Sequence, residues 1–377
     1  MSVQRHYFPG NNTPLGFYSY YRYILSQKEA SRIICLKGGP GTGKSTFMRR
    51  IGESFAARGE SVDFLHCSAD ENSLDGIVVR ERKLAVIDGT SPHITDPITP
   101  GAVDRIVDLA AYWNEESIAA AKEEIIALNE ETSRWYRIAY NYLAAAKSVF
   151  RSLEEIYAQA LSASEIYRTI ADIVAREYGA YDISLAPGRV KKFFASAITA
   201  SGAVNYLTSL AAEMEKVYMI NVPTGYAANS LMSILAEGAI YRGFDIELFY
   251  CSMSPEEKVE HILIPELKTA FMTVNRYHDV EPWELVSAEG REQEIAFLDM
   301  NDYMDSMTLD SNRELLSALN DEYDILLNKA VRYLGKAKKT HLQVEEMYVP
   351  NMNFTQVSAL AGELEEDLCR RCPRAIK

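Results

Sequence analysis

The sequence predicts an α/β protein built from two tandem parallel-sheet cores, each followed by a long helical insertion or appendage. Three observations predict it. A glycine-rich loop lies between a strand pattern and a helix pattern, a colinear internal repeat recurs roughly 185 residues later, and each half carries a long helix-forming stretch.

The loop is Gly38-Gly39-Pro40-Gly41-Thr42-Gly43-Lys44-Ser45, followed by Thr46. It fits the phosphate-binding pattern of a glycine, four residues, then Gly-Lys-Ser or Gly-Lys-Thr. Arg32 to Lys37 reads as a buried strand entering it, and Phe47, Met48, Ile51 and Phe55 recur at helical spacing after it. The chemistry needs that order. Small residues let backbone N–H groups close around phosphate oxygens, and the next helix presents the positive end of its dipole. Lys44 would reach the β- and γ-phosphates, and Ser45 would ligate Mg²⁺. The expectation is a P-loop NTPase-like core that binds a nucleoside triphosphate, ATP, with Mg²⁺.

Along the chain, Gly16 to Ser26 reads as a short aromatic-rich helix, Ser61 to Cys67 as the next strand and Lys83 to Asp88 as the one after it. Val103 to Tyr178 is almost unbroken helix former, read as an insertion (about 102–178) folded as a hairpin or small bundle. Gly179 to Arg189 has the composition of a linker.

The pattern then restarts. An offset of 184 carries Gly41 onto Gly225 and Arg58-Gly59 onto Arg242-Gly243; 185 carries Lys83 onto Lys268 and His93 onto His278. An offset of 186 pairs Thr13 and Gly16 with Thr199 and Gly202, and 191 pairs Leu143, Ala146 and Lys147 with Leu334, Ala337 and Lys338. A tandem duplication explains these blocks, dividing the chain into 1–188 and 189–377, the second half with an appendage over about 309–347. In that half the loop reads Gly225-Tyr226-Ala227-Ala228-Asn229-Ser230, with Ala228 for the lysine and Asn229 for the serine. The second site is expected to be incompetent for triphosphate and Mg²⁺, leaving a structural or regulatory role.

These residues, with Asp88 to His93, Phe194 to Thr199, Ile264 to Leu267 and Tyr348 to Met352, resemble the uncharacterised bacterial tandem P-loop ATPase-like proteins over nearly the whole chain. The resemblance implies the duplicated fold and ATP binding. In that family the second half commonly keeps an intact P-loop, so the departure here counts against a two-site hydrolysis scheme.

Leu84 to Asp88 has the form of a Walker B strand, so Asp88 can orient a water on Mg²⁺ or ligate the ion; Asp88-Gly89 is equally a turn dipeptide. Gly89 stands where many motor ATPases place a glutamate, which argues for slow hydrolysis. His93 could position water or sense phosphate, while His278 at the matching place argues for a structural role shared by both halves. Lys44, Asp88 and His93 are thus the catalytic candidates, Gly38 to Thr46 the nucleotide-binding ones, and Ser45 and Asp88 the metal ligands. Asp70 and Glu71 read as solvated loop acids. Arg242, Arg276 and Arg291 are candidates for an arginine finger. Cys369 and Cys372 have a metal-like spacing without a second pair.

The 377 residues carry a formal charge of -14, which opposes polyanion binding, and no basic stripe offsets it. No apolar run is long enough to span a bilayer, the N-terminus lacks a signal-peptide core, and the five cysteines form no disulfide framework. A cytoplasmic protein is expected, with a protein or small-molecule partner, homo-oligomerisation open, and no nucleic acid. A slow Mg²⁺-dependent ATPase leads; a small-molecule kinase and a nucleotide-gated interaction module are the rivals. No Asn-Lys-x-Asp run reads guanine, which lowers the case for GTP.

Overall fold

The computed structural model describes residues 2–92, 94–223, 229–287, 290 and 292–373. The first half runs β1 (Gln4–Tyr7), β2 (Gly10–Thr13), β3 (Gly16–Ser19), β4 (Arg32–Lys37), α1 (Lys44–Ala57), β5 (Val62–His66), β6 (Leu74–Val79), β7 (Leu84–Asp88), β8 (Asp104–Asp108), α2 (Glu115–Ala120), α3 (Lys122–Ala160) and α4 (Ala163–Tyr178). The second runs β9 (Val190–Phe193), β10 (Ser196–Thr199), β11 (Gly202–Asn205), α5 (Leu207–Ala211), β12 (Lys216–Asn221), α6 (Asn229–Ile240), β13 (Ile246–Cys251), β14 (Ser254–Ile264), β15 (Thr269–Val274), β16 (Glu294–Asp299), α7 (Ser306–Ser311), α8 (Arg313–Tyr348) and α9 (Phe354–Arg371).

Each half builds a six-stranded sheet, in the orders β1-β5-β6-β7-β4-β8 and β9-β13-β14-β15-β12-β16. Strand for strand the two orders are the same, which supports duplication of an α/β unit. The sheets are mixed, not parallel as expected: β6 and β14 run antiparallel to both neighbours, and the other pairings are parallel. Short links force this, since a parallel crossover needs a dozen or more residues. The β6–β7 and β14–β15 turns each close on a lysine in the left-handed region, Lys83 at φ 50° and Lys268 at φ 49°.

Two helical expectations are corrected. Residues 16–19 form β3, hairpinned to β2, and only Tyr21–Tyr23 turns helically. The Thr13 hydroxyl donates to Gly16 O (2.7 Å) and accepts from Leu15 N (3.1 Å), a local turn that competes with helix. Thr199, Ser201 and Gly202 repeat it in β10–β11. Residues 104–108 form the edge strand β8 beside β4, with Asp104 accepting from Ile98 N at 2.9 Å and Thr99 N at 2.6 Å. Nor is the insertion a hairpin of its own. Ala139, Leu143, Ala146 and Phe150 of α3 pack on Tyr323, Leu327, Ala330 and Leu334 of α8. Ring contacts of Trp135 with Tyr333 and of Phe150 with Tyr323 show the two helices to be antiparallel.

The strands alternate between two cores, as a period of two requires. Ile33 and Cys35 face Val217 and Met219 across a core shared by both sheets, whereas Ile34 and Leu36 face α1. The outer faces are covered by exchanged helices. Ile166, Ile170 and Ile173 of α4 lie on the second sheet, and Val357, Ala361, Leu364 and Leu368 of α9 lie on the first. The junctions are reciprocal. Asn114 N donates to Asn351 O (2.8 Å) and Asp305 N to Ala160 O (2.7 Å), the same contact shifted by 191 residues. Phe8 and Phe194 bond each other's backbone where the two halves meet.

The shared core contains one buried charge network. Arg5 grips Asp63 through Nε (2.9 Å) and Nη2 (2.8 Å) and Glu247 of the other sheet through Nη1 (2.7 Å). Although burial alone would raise it, Asp63 is held down to about 2 by Arg5 and Arg80. A carboxylate depressed in the folded state stabilises fully above its unfolded value, 3.8, and that stability is lost as pH falls through the folded one. Urea unfolding should therefore show about 2 kcal/mol leaving between about pH 4 and pH 2. An Asp63→Asn chain should lack that slope.

Candidate nucleotide site

The site is built at the end of β4. Gly38, Gly41 and Gly43 adopt φ of 147°, 67° and 85°, in the region that favours glycine, and α1 begins at Lys44. Pro40 sits in the turn, Thr42 Oγ1 donates to Gly39 O (2.9 Å), and Thr46 is exposed on α1. Lys44 Nζ donates to Gly38 O (2.7 Å) and Gly39 O (3.0 Å) and stands 3.7 Å from Asp88 Oδ2. Asp88 Oδ1 accepts from Thr90 N (2.8 Å), while Ser45 Oγ accepts from Leu74 N (2.9 Å). Register explains the meeting: Leu36 lies opposite Asp88 in the parallel pair β4–β7. Lys37 ties the next loop down through Gly89 O (2.7 Å) and Thr95 O (3.1 Å).

The second half covers this loop. A Cβ on Gly41 would lie 3.0 Å from Val349 Cγ2 and 3.1 Å from Glu345 O; one on Gly43 would lie 3.3 Å from Phe354. Gly39 faces Trp113 and Tyr348. From α8, Lys338 Nζ reaches Asp70 (2.7 Å) and Glu71 (3.6 Å), so these acids are not simply solvated. His341 approaches Glu345 at 3.6 Å, and burial, with the nearby charge of Lys44, pushes its imidazole down.

Sequence reasoning did not single out His341, nor assign Lys338 to this site, because their distance in the chain is closed only by the α3–α8 pairing. It also missed Asp75. In both halves the second hairpin carries a β-bulge at the same place: Leu65 pairs with Gly76 and His66 with Leu74, with Asp75 in the bulge between them, as Glu260 is in the second half. The usable signal was an acid inside an otherwise buried apolar strand, repeated at an offset of 185.

His93, Arg291 and residues 225–228 lie outside the described residues. Arg242 donates to the carbonyls of Tyr178 and Gly238, and Arg276 pairs with Asp324 at 2.8 Å. Cys369 Sγ accepts from Arg58 and the carbonyls of Cys369 and Cys372 from Arg82. His278 is buried against Ser196 Oγ (2.8 Å). No family model, curated protein or solved structure matches the chain. Among the described residues no helix is long and apolar enough to cross a membrane.

Proposed function

We propose that the first half binds ATP with Mg²⁺ at Gly38–Thr46 and hydrolyses it slowly, as a P-loop NTPase-like core. The observation that carries this reading is the strand–loop–helix of β4 and α1, with three positive-φ glycines and the Lys44 ammonium held over the loop carbonyls beside Asp88. The donor set fits a polyphosphate. The loop's bends are ones only glycine adopts without strain, a 14-residue helix starts at the loop, and a cation is in place. Bound Mg²⁺ would supply Lewis-acid polarisation of the phosphoryl oxygens. Lys44 would exchange its carbonyl partners for phosphate oxygens, Ser45 and Asp88 would hold the ion, and Asp88 would help to hold Lys44 in place. His93, five residues after Asp88 in the sequence, is proposed to orient the attacking water. Packing of Gly39, Gly41 and Gly43 against the α8–α9 junction favours a companion reading, in which nucleotide moves that junction.

The test is equilibrium ATP binding with and without Mg²⁺, followed by phosphate release from the same sample. Lys44→Ala should weaken binding about 100-fold, on the order of 2.7 kcal/mol for a lost charge-assisted contact. Unchanged affinity would overturn the assignment. Tight binding with no phosphate release would leave gating alone.

A further inference from the structure

In a regular strand, neighbouring residues point to opposite faces. At the β14 bulge, Phe249 pairs with His261 and Tyr250 with Val259, so Glu260 is left over and turned toward the side of its neighbour. His278, from the turn after β15, meets them there. One donor atom from each of Glu260, His261 and His278 falls within 4.8 Å of the others, and the two rings are 5.0 Å apart. All three are buried, exposed by 6%, 1% and 6%. Neither ring nitrogen of His261 has a hydrogen-bond partner among the described residues, nor has Nδ1 of His278. Native interiors rarely leave such atoms unsatisfied. His278 Nε2 is held by Ser196 Oγ at 2.8 Å, the outer-shell contact that fixes a ligating imidazole.

We propose that Glu260, His261 and His278 bind one divalent transition-metal ion of the zinc class. Two imidazoles and one carboxylate suit zinc or cobalt, whereas Mg²⁺ and Ca²⁺ prefer an all-oxygen shell. A cavity of about 60 Å³ adjoins Glu260 and His278, room for an ion and a water. Cys251 lines the same cavity. Lys258 stands 4.0 Å from Glu260 and also 4.0 Å from Glu154, which in turn is 3.6 Å from Lys147. In the first half the matching bulge carries Asp75 followed by Gly76 in place of the histidine. The ligand pair thus belongs to the half whose loop lacks a phosphate-binding lysine, and this inference does not rest on ATP binding.

The test uses the full chain, stripped with a chelator, desalted and titrated with Co²⁺ without nucleotide. One equivalent should develop the intense visible absorption of low-coordinate cobalt, and one equivalent of Zn²⁺ should bleach it. His261→Gln and His278→Gln should each weaken binding at least about tenfold, since loss of even an outer-shell partner costs about 10–100-fold. A wild-type chain that develops no such absorption, with only ordered water in the cavity, overturns the proposal whether or not the variants fold. So do folded variants that bind as the wild type does.

Discussion

An Arg5→Ala chain should unfold about 3–5 kcal/mol more easily than the wild type, because it strands two buried carboxylates. Arg5 is 3% exposed, and its guanidinium contacts both Asp63 of β5 and Glu247 of β13. Arg80, 3.3 Å from Asp63 and paired with Glu213, covers only part of the remaining charge. The two carboxylates occupy matching places in the repeat, offset by 184, so one arginine neutralises the same position in both halves. The measurement is the urea midpoint and slope at pH 7. A loss below about 1 kcal/mol, the range of exposed pairs, would refute the network's importance. Arg5→Met should be nearly as harmful, since it restores packing and not charge. Replacing Arg5, Asp63 and Glu247 together by apolar residues should recover most of the loss, because a buried ion pair is often no more stable than a well-packed apolar substitute.

How much of this was legible in sequence depended on the distance over which each element is specified. The strand–loop–helix at 32–57 was legible because its strand, glycines and helix are contiguous: Ile33 to Leu36 form a run buried on both faces, and Phe47, Met48, Ile51 and Phe55 share one helical face. The duplication was legible because its alignment blocks are colinear. The 16–26 segment was misread because aromatic spacing imitated a helix, while the decisive signal was the Thr13–Gly16 turn. β8 was missed because Ile106 is exposed on an edge strand and offers little periodicity. β6 and β14 were absent from the reading. Their links to neighbouring strands are short, and a bulge interrupts the alternation of each. Contacts that cross between halves, such as Lys338 with Asp70 and Val349 over Gly41, have no local signature at all.

Cutting the chain at 188/189 and producing either half alone should yield material that does not fold, and the two halves together should reassemble. The 1–188 piece keeps α4, whose Ile166, Ile170 and Ile173 belong on the second sheet, and loses α9, which covers its own. Baring the places of Val357, Leu364 and Leu368 forgoes about 5–9 kcal/mol at 1.5–3 kcal/mol for each large side chain. That is comparable to the whole stability of a domain, about 5–15 kcal/mol. The second piece suffers the mirror loss: without α4 the surface around Met232, Leu235 and Ala236 opens to water, and Tyr178 no longer donates to Leu235 O (3.0 Å). It also keeps an α8 with no α3 against Leu327 and Leu334. Co-expression restores each exchanged helix in trans, since the cut falls just before β9. Size-exclusion chromatography and far-ultraviolet circular dichroism on the single and paired halves read the outcome. A soluble, cooperatively melting 1–188 piece would mean that α9 is dispensable to the first sheet, and that the halves are domains in their own right.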